Sequence, residues 1–388
     1  MFSDESVAPF FARLREQLPG LEVLDVHTHI GFNDPDGVRC SPEQLRQALD
    51  TAGARSVVFA MHEPGGYPAA NDWVREEAER AGGRLVSFAR LDPRDHPVRE
   101  AERSLDAGSR GLKLHPRAEG FALDERCVEP IVALAQERSV PLIVHAGRGI
   151  PALGRHAVEL CRGHSGARVI LAHAGICDLA WIWREARELP NLFFDTSWWS
   201  ASDLLALLSL VPPGQVLLAS DAPYGSPALG SVLTLRCALQ AGLSEEAVRS
   251  IAGGQTRRLL DGLEPLDLGP AVEAVPERDL LLDRVGTFLT YALGQALQGV
   301  HPTEAIDLAR LACEVGNETP QAAVCRAVLA LLENTEDLPP DPDRPSRFMP
   351  VLPRLVLAGL VVRTPDVALP GVETPVDVAA RPKGLETS

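Results

Sequence analysis

Lysine is nearly absent from this chain: its 388 residues include two, Lys113 and Lys383, against 35 Arg. Positive charge is scarce altogether, since 37 Lys and Arg face 53 Asp and Glu, a formal charge of −16. That balance argues against a nucleic-acid or anionic-membrane surface, although local Arg could still receive a small anionic substrate. Long apolar runs are missing too. No stretch approaches the roughly 20 apolar residues that span a bilayer. Residues 1–20 mix charged and apolar side chains without a signal-peptide core. The seven Cys (Cys40, Cys127, Cys161, Cys177, Cys237, Cys313 and Cys325) include no Cys-x-x-Cys pair. Their scatter fits reduced thiols in a cytoplasm better than a disulfide frame or a structural zinc site. What remains is an ordinary soluble composition, 45% hydrophobic. The length suits two or three average domains, or one large barrel with an addition.

Short apolar runs recur at 22–31, 56–63, 84–92, 111–115, 141–147, 169–175, 192–197 and 216–221. Helical signals lie between them. Ser41-Pro42-Glu43 opens one helix, which Leu45, Leu49 and Ala52 continue, and others are predicted near 68–82, 96–107, 124–138, 152–163, 177–188 and 201–210. Alternation at this spacing means parallel strands joined by crossover helices. Eight such repeats predict an α/β fold, a closed (β/α)8 TIM barrel, whose usual size is about 250 residues. A doubly wound open sheet is the alternative. It would carry a Gly-rich phosphate loop after its first strand, and none is present.

Each run ends in polar residues: His27 and His29, His62, Arg90 and Asp92, Lys113 and His115, His145, His173, Asp195, and Asp221. In a barrel the C-terminal strand ends meet on one face, so residues far apart in sequence converge there. Lys113 belongs to this series. Arg supplies charge nearly everywhere else, but it stays protonated, whereas Lys can lose its proton and act as base or nucleophile. A lysine amine can also take up carbon dioxide and become a carboxylate-like metal ligand.

Asp25-Val26-His27-Thr28-His29 predicts three polar side chains at i, i+2 and i+4, all facing the barrel interior. His27 and His29 can then hold one ion from a single strand. His-x-His alone is a weak signal. It gains force from His145 and His173 on two later strands, each within a His-Ala-Gly segment, and from Asp221 on the last. Imidazole and carboxylate without thiolate suit a divalent metal, zinc first, with manganese, iron or cobalt as alternatives.

With these segments in this order (HTH, GLKLHP, IVHAG, LAHAG and SDAP), residues 22 to 262 resemble the amidohydrolase superfamily. The closer likeness is to its amidohydrolase-related branch (amidohydrolase 2), which holds small hydrolases and decarboxylases similar to aminocarboxymuconate semialdehyde decarboxylase. The resemblance implies His27, His29, His145 and Asp221 as ligands or contacts of metal-bound water. It implies His173 as a ligand of a second ion or a polarising group. In binuclear members the fourth-strand Lys is carboxylated and bridges two metals, whereas many amidohydrolase-related members carry a similar segment without that modification. One ion or two therefore stays open, and the reading leans to a single catalytic metal with Lys113 and His173 beside it. The helix at 253–260 looks like the one that closes such barrels, with Gln255 in place of the usual Asn.

The chemistry expected of this set is metal-dependent hydrolysis, an activated water attacking the amide, ester or lactone carbonyl of a small molecule. Asp221 would shuttle the proton, and His173 or a cationic Lys113 would hold the developing oxyanion. Non-oxidative decarboxylation of an aromatic or unsaturated acid is the second reading, and an inactive barrel serving as a binding scaffold is the third. His62, Arg90, His115, Arg148 and Trp198 are candidate substrate contacts, with Arg117, Trp199 and Tyr224 as further neighbours of the pocket. Asp25 is read as orienting a neighbouring His, and Asp195 as capping a loop or orienting solvent.

Residues 1–262 are thus expected to form the barrel, 263–279 a linker and 280–388 a helical extension. Helices are predicted at 280–297, 302–314 and 320–333, an extended segment at 334–353, an apolar run at 349–362, and little structure in the tail from 363. The resemblance lends this extension no function. It could cover the barrel or pair subunits, and a homodimer is compatible with it.

Overall fold

The apolar runs become short strands, all paired in parallel. They are β1 (Val23–Ile30), β2 (Ala54–Ala60), β3 (Leu85–Ser87), β4 (Ala89–Leu91), β5 (Leu112–Leu114), β6 (Pro141–Val144), β7 (Arg168–Leu171), β8 (Leu192–Asp195) and β9 (Val216–Leu217). The computed structural model describes residues 5–147, 149–273, 278–335, 338 and 350–371. Two runs of neighbours result, β1-β2-β3 and β4 through β9 in chain order.

Two joints turn these runs into a barrel. Phe88 interrupts the third run: its amide bonds to Val58 O (3.0 Å), while the next amide, Ala89, bonds to Gly111 O (2.9 Å). β3 and β4 are therefore one stave that pairs with β2 below and β5 above. At the other end β1 receives the residues around β9. The Val26 amide bonds to Leu218 O (3.0 Å), the Asp221 amide to His27 O (2.9 Å) and the His29 amide to Ala222 O (2.7 Å). Nine segments thus make eight staves of a closed (β/α)8 barrel.

Its interior is filled by Leu24, Val26, Val57, Phe59, Phe88, Ile143, Ile170, Phe193 and Leu217, with Leu259 and Leu260 beneath them. Gly111 makes room for this packing, since a Cβ there would lie 2.4 Å from the Phe88 ring. The helix Gln255–Leu260 plugs the lower end. Gln255 suits its place: the longer amide donates to Gly214 O (2.5 Å) and Leu266 O (3.1 Å) and accepts the Leu266 amide (3.0 Å). It fastens the barrel floor to the segment that leads away from it.

Beyond that segment stand helices Leu280–Leu297, Thr303–Ala312 and Ala322–Leu332, where helices were expected, and a fourth, Leu352–Arg363, within the run read only as apolar. Leu352, Leu357, Ala358, Leu360 and Val361 are all fully buried. Such a helix is apolar around most of its circumference and carries no amphipathic stripe to read. It packs between the extension's own helices and the barrel helices Ala201–Leu210 and Pro227–Gln240. Arg236, 1% exposed, seals the seam. Its guanidinium donates to Thr364 Oγ1 (3.0 Å), Thr364 O (2.9 Å), Val367 O (3.2 Å) and Ala368 O (2.8 Å). Most of the predicted extended segment, and the tail beyond 371, lie outside the described residues. Among the described residues no helix is long and apolar enough to cross a membrane.

Candidate metal centre

The first stave is irregular where it matters. Leu24 and Val26 both face the barrel interior, so strict alternation would turn His27 outward. The pairing of β1 with β2 slips by one residue between Asp25 and Thr28. Val26 and His27 consequently both face inward, and His29 follows in phase. Asp25 does not join them, which corrects the i, i+2, i+4 reading. Its carboxylate accepts the His27 amide (3.0 Å), the Ser220 amide (3.0 Å) and the Ser220 hydroxyl (2.5 Å), fastening β1 to the segment after β9. Burial pushes the Asp25 carboxyl up to about 7, against the pull of those hydrogen bonds.

The slip brings three ligand atoms together. His27 Nε2 lies 3.2 Å from His29 Nε2 and 3.2 Å from Asp221 Oδ1, and His29 Nε2 lies 3.1 Å from the same oxygen. Burial holds both imidazoles well below the ordinary histidine pKa, and the nearby Lys113 charge pushes the same way. Neutral imidazoles bear one proton each. His27 Nδ1 lies 2.7 Å from Asp195 Oδ2, which leaves its Nε2 facing the other two ligand atoms. A divalent cation among them would take the lone pairs of both imidazoles and of the carboxylate at once. The donor set, two imidazole nitrogens and a carboxylate oxygen, fits such an ion. Asp221 reaches it from a left-handed backbone conformation (φ 57°), a strain of order 1–3 kcal/mol for a non-glycine residue.

A second group of polar side chains adjoins the first. His145 Nδ1 and His173 Nε2 are 3.0 Å apart, and the His115 ring stacks on that of His145 with centroids 3.8 Å apart. His145, expected with the ligands, is thus engaged with His173 and stands apart from the three converging atoms. His173, also left-handed (φ 57°), hydrogen-bonds through Nδ1 to Ser197 O at 2.9 Å. Gly147 leaves these rings their space, since a Cβ there would lie 2.6 Å from His145 Nε2. Burial pushes the His115 and His145 pKa values down. Lys113, fully buried, lies with Nζ 3.5 Å from His27 Nε2 and 4.8 Å from the Phe59 ring centroid. Burial pushes its ammonium down, while Asp195 and Asp221 push back.

The candidate substrate contacts are mostly engaged elsewhere. Arg90 pairs with Glu119 at 2.7 Å, both side chains 3% exposed, and also donates to Ala60 O (3.2 Å). Tyr67 donates to the same Glu119 oxygen at 2.5 Å. Arg90 is therefore neutralised within the protein rather than held open for a carboxylate. Glu119 was missed in the sequence, although it lies in the four-residue helix Pro116–Glu119 directly after the Lys113 segment. His115 accepts the Ala118 amide through Nδ1 (3.1 Å) and caps that helix. The Trp198 indole donates to Asp203 (2.7 Å) at the start of Ala201–Leu210. His62, after β2, is half-buried, and its Nδ1 has no hydrogen-bond partner among the described residues. Tyr224 sets its ring edge against His29 at 5.7 Å and donates its hydroxyl to Asp34. Arg148 lies outside the described residues.

Residues 9–262 match the family model described as amidohydrolase. The chain belongs to the amidohydrolase family, and its barrel is that of an enzyme of this superfamily with a divalent-metal site. Solved structures agree on the fold. The chain is similar to the 5-carboxyvanillate decarboxylase of Sphingomonas paucimobilis, at 16% identity and a TM-score of 0.50, covering 62% of this chain and 99% of that one. An uncharacterized TIM-barrel protein from Bordetella bronchiseptica is similar at 17% identity and a TM-score of 0.51, with the same coverage of 62% and 99%. The 5-carboxyvanillate decarboxylase of Novosphingobium aromaticivorans, complexed with manganese and 4-hydroxy-3-methoxy-5-nitrobenzoic acid, is similar at 13% identity and a TM-score of 0.50, covering 67% and 98%. No curated protein matches the chain in sequence.

Proposed function

We propose that this protein is a metal-dependent hydrolase that cleaves an amide, ester or lactone of a small molecule, using one divalent ion held by His27, His29 and Asp221. The observation that carries this reading is the unequal exposure of the three ligands. The Asp221 side chain is 20% exposed, against 1% for His27 and 6% for His29. Water and substrate therefore approach at the carboxylate. His27, His29 and Asp221 would hold the divalent ion, which when bound would supply Lewis acidity, lowering the pKa of water to about 7 and polarising a carbonyl. Asp221, at the open edge, accepts the proton of the arriving water and returns it to the leaving group. Lys113 offers an N–H from a water-poor wall to the oxygen on which charge develops, where such a donor acts most strongly. His173 lies with its ring centroid 5.2 Å from that of His27, and its two nitrogens are taken up by Ser197 O and His145, so the oxyanion role falls to Lys113. Zinc is the first choice for the ion.

Decarboxylation of an aromatic or unsaturated acid is the second reading, with manganese as the ion. Two structural neighbours carry that activity in their names, one of them with manganese. The pairing of Arg90 with Glu119 favours hydrolysis, because it engages one of the three arginines (Arg90, Arg117, Arg148) expected to receive a carboxylate. In either reading the partner is a small molecule and the working compartment is the cytoplasm, with pairing through the extension as the proposed route to a homodimer.

The test loads the full chain with zinc or manganese and offers it amides, esters, lactones and aromatic acids, beside Asp221→Asn. Hydrolysis in the parent that is lost in the variant supports the proposal. Carbon dioxide release without hydrolysis overturns it in favour of decarboxylation. Failure to take up either metal overturns both and leaves a binding barrel.

A further inference from the structure

We infer that Asp195 is a positioning residue: it fixes the tautomer of His27 and so aims a lone pair at the metal position. The inference rests on the single-metal reading above and adds a residue to it. Asp195 ends β8, is fully buried, and uses its two carboxylate oxygens differently. Oδ1 accepts three hydrogen bonds, from the His173 amide (2.9 Å), the Ser197 amide (3.0 Å) and the Ser197 hydroxyl (2.5 Å). These hold the backbone where His173 takes its left-handed turn. Oδ2 faces His27 Nδ1 at 2.7 Å. An ionised carboxylate only accepts, so the imidazole proton resides on Nδ1 and Nε2 is bare. Lys113 Nζ faces that Nε2 from 3.5 Å, and in its ammonium form it can only donate to it. A ligand histidine oriented through its other nitrogen by a carboxylate is a general device of metal sites. Here the carboxylate comes from the stave that precedes β9, 168 residues away in sequence.

The division between the two oxygens makes the idea separable from a merely structural role. In Asp195→Asn the amide oxygen can keep all three donors that Oδ1 now accepts. The amide NH2 then faces His27 Nδ1. Flipping the amide would set three donors against NH2, so the ring yields instead. His27 moves its proton to Nε2, where it points into the space between His29 and Asp221. The variant should therefore fold normally and lose metal affinity by about 10- to 100-fold.

Two readouts test this. The first is 15N NMR of metal-free, histidine-labelled full chain, with the His27 resonances assigned through His27→Gln. The wild type should show the Nδ1–H form and Asp195→Asn the Nε2–H form. The second is zinc and manganese affinity, measured by competition with a chelating dye. Ser197→Ala, which removes one Oδ1 donor and the hydroxyl 3.4 Å from His27 Nδ1 but leaves the Oδ2 bond intact, should stay near the wild-type affinity, while Asp195→Asn weakens. A wild-type His27 in the Nε2–H form overturns the inference without recourse to any variant. So does an Asp195→Asn protein that binds metal as the wild type does. If the wild type takes up no metal at all, the single-metal reading fails, and the tautomer measurement still decides the role of Asp195.

Discussion

The barrel mouth and the helical extension are both well buried, yet they are made of different material. Around β1, β8 and β9 the protein encloses Asp25, His27, Lys113, Asp195 and much of Asp221, most within hydrogen-bond reach of one another. In the extension the buried side chains are Leu282, Val285, Leu289, Val328, Leu332, Leu357 and their like, with Thr335 and Thr364 as the polar exceptions among the described residues. Taking ionisable groups out of water costs several kcal/mol each unless they are mutually satisfied. The mouth carries that cost and the extension does not. The difference separates a region arranged for chemistry from one arranged for cohesion, and Arg236 is the charged fastening where they meet.

The contrast can be sharpened first at the mouth. Asp221→Asn should reduce turnover by about 10²- to 10⁴-fold, the usual worth of a positioned acid–base group, with little change in melting temperature. Nearly intact activity on a true substrate would remove Asp221 from its role. The extension should respond in the opposite sense. Leu357→Ala, at a fully buried position, should cost about 2–5 kcal/mol in urea unfolding while the remaining folded molecules keep their activity per site. Loss of metal falls next. At a free ion concentration of 100 times Kd, chelation should withdraw about 2.7 kcal/mol of stability, visible as a lower melting temperature that returns on adding the ion back. The smallest effect belongs to the seam. Arg236→Met takes the guanidinium donor from the Val367 and Ala368 carbonyls and should cost about 1–3 kcal/mol, read as faster limited proteolysis near residues 364–371. An unchanged cleavage rate would mean that apolar packing alone holds the two regions together.

How much of this was legible in the sequence follows the same division. The barrel staves announced themselves as apolar runs with polar ends, because each stave solves the same problem of an apolar wall with a working rim. The ring closure between β9 and β1 could be inferred from the count, but the break at Phe88 could not, since it arises from neighbours on both sides. The helices Pro227–Gln240 and Leu352–Arg363 escaped notice for one reason. Both are buried around nearly their whole circumference, so no polar face marks their period. At the site, His27, His29 and Asp221 could be named from residue type and order. The partners of Arg90 and Asp195 could not, because Glu119 and His27 meet them only after the chain has closed on itself. The Asn-to-Gln departure at 255 carried no warning either; the longer side chain found its own carbonyls.

The one-residue slip in β1 has a consequence for anyone who would transplant this centre. The His-x-His pair is not a portable dipeptide signature: on an idealised, evenly pleated barrel with Val26 kept inward, both imidazoles would point at the helices. The extra residue between Asp25 and Thr28, and the Ser220 anchor that Asp25 grips beside it, belong to the graft as much as the ligands themselves. A designer who trims that irregularity for the sake of a cleaner strand will keep every ligand in the sequence and lose the centre in space.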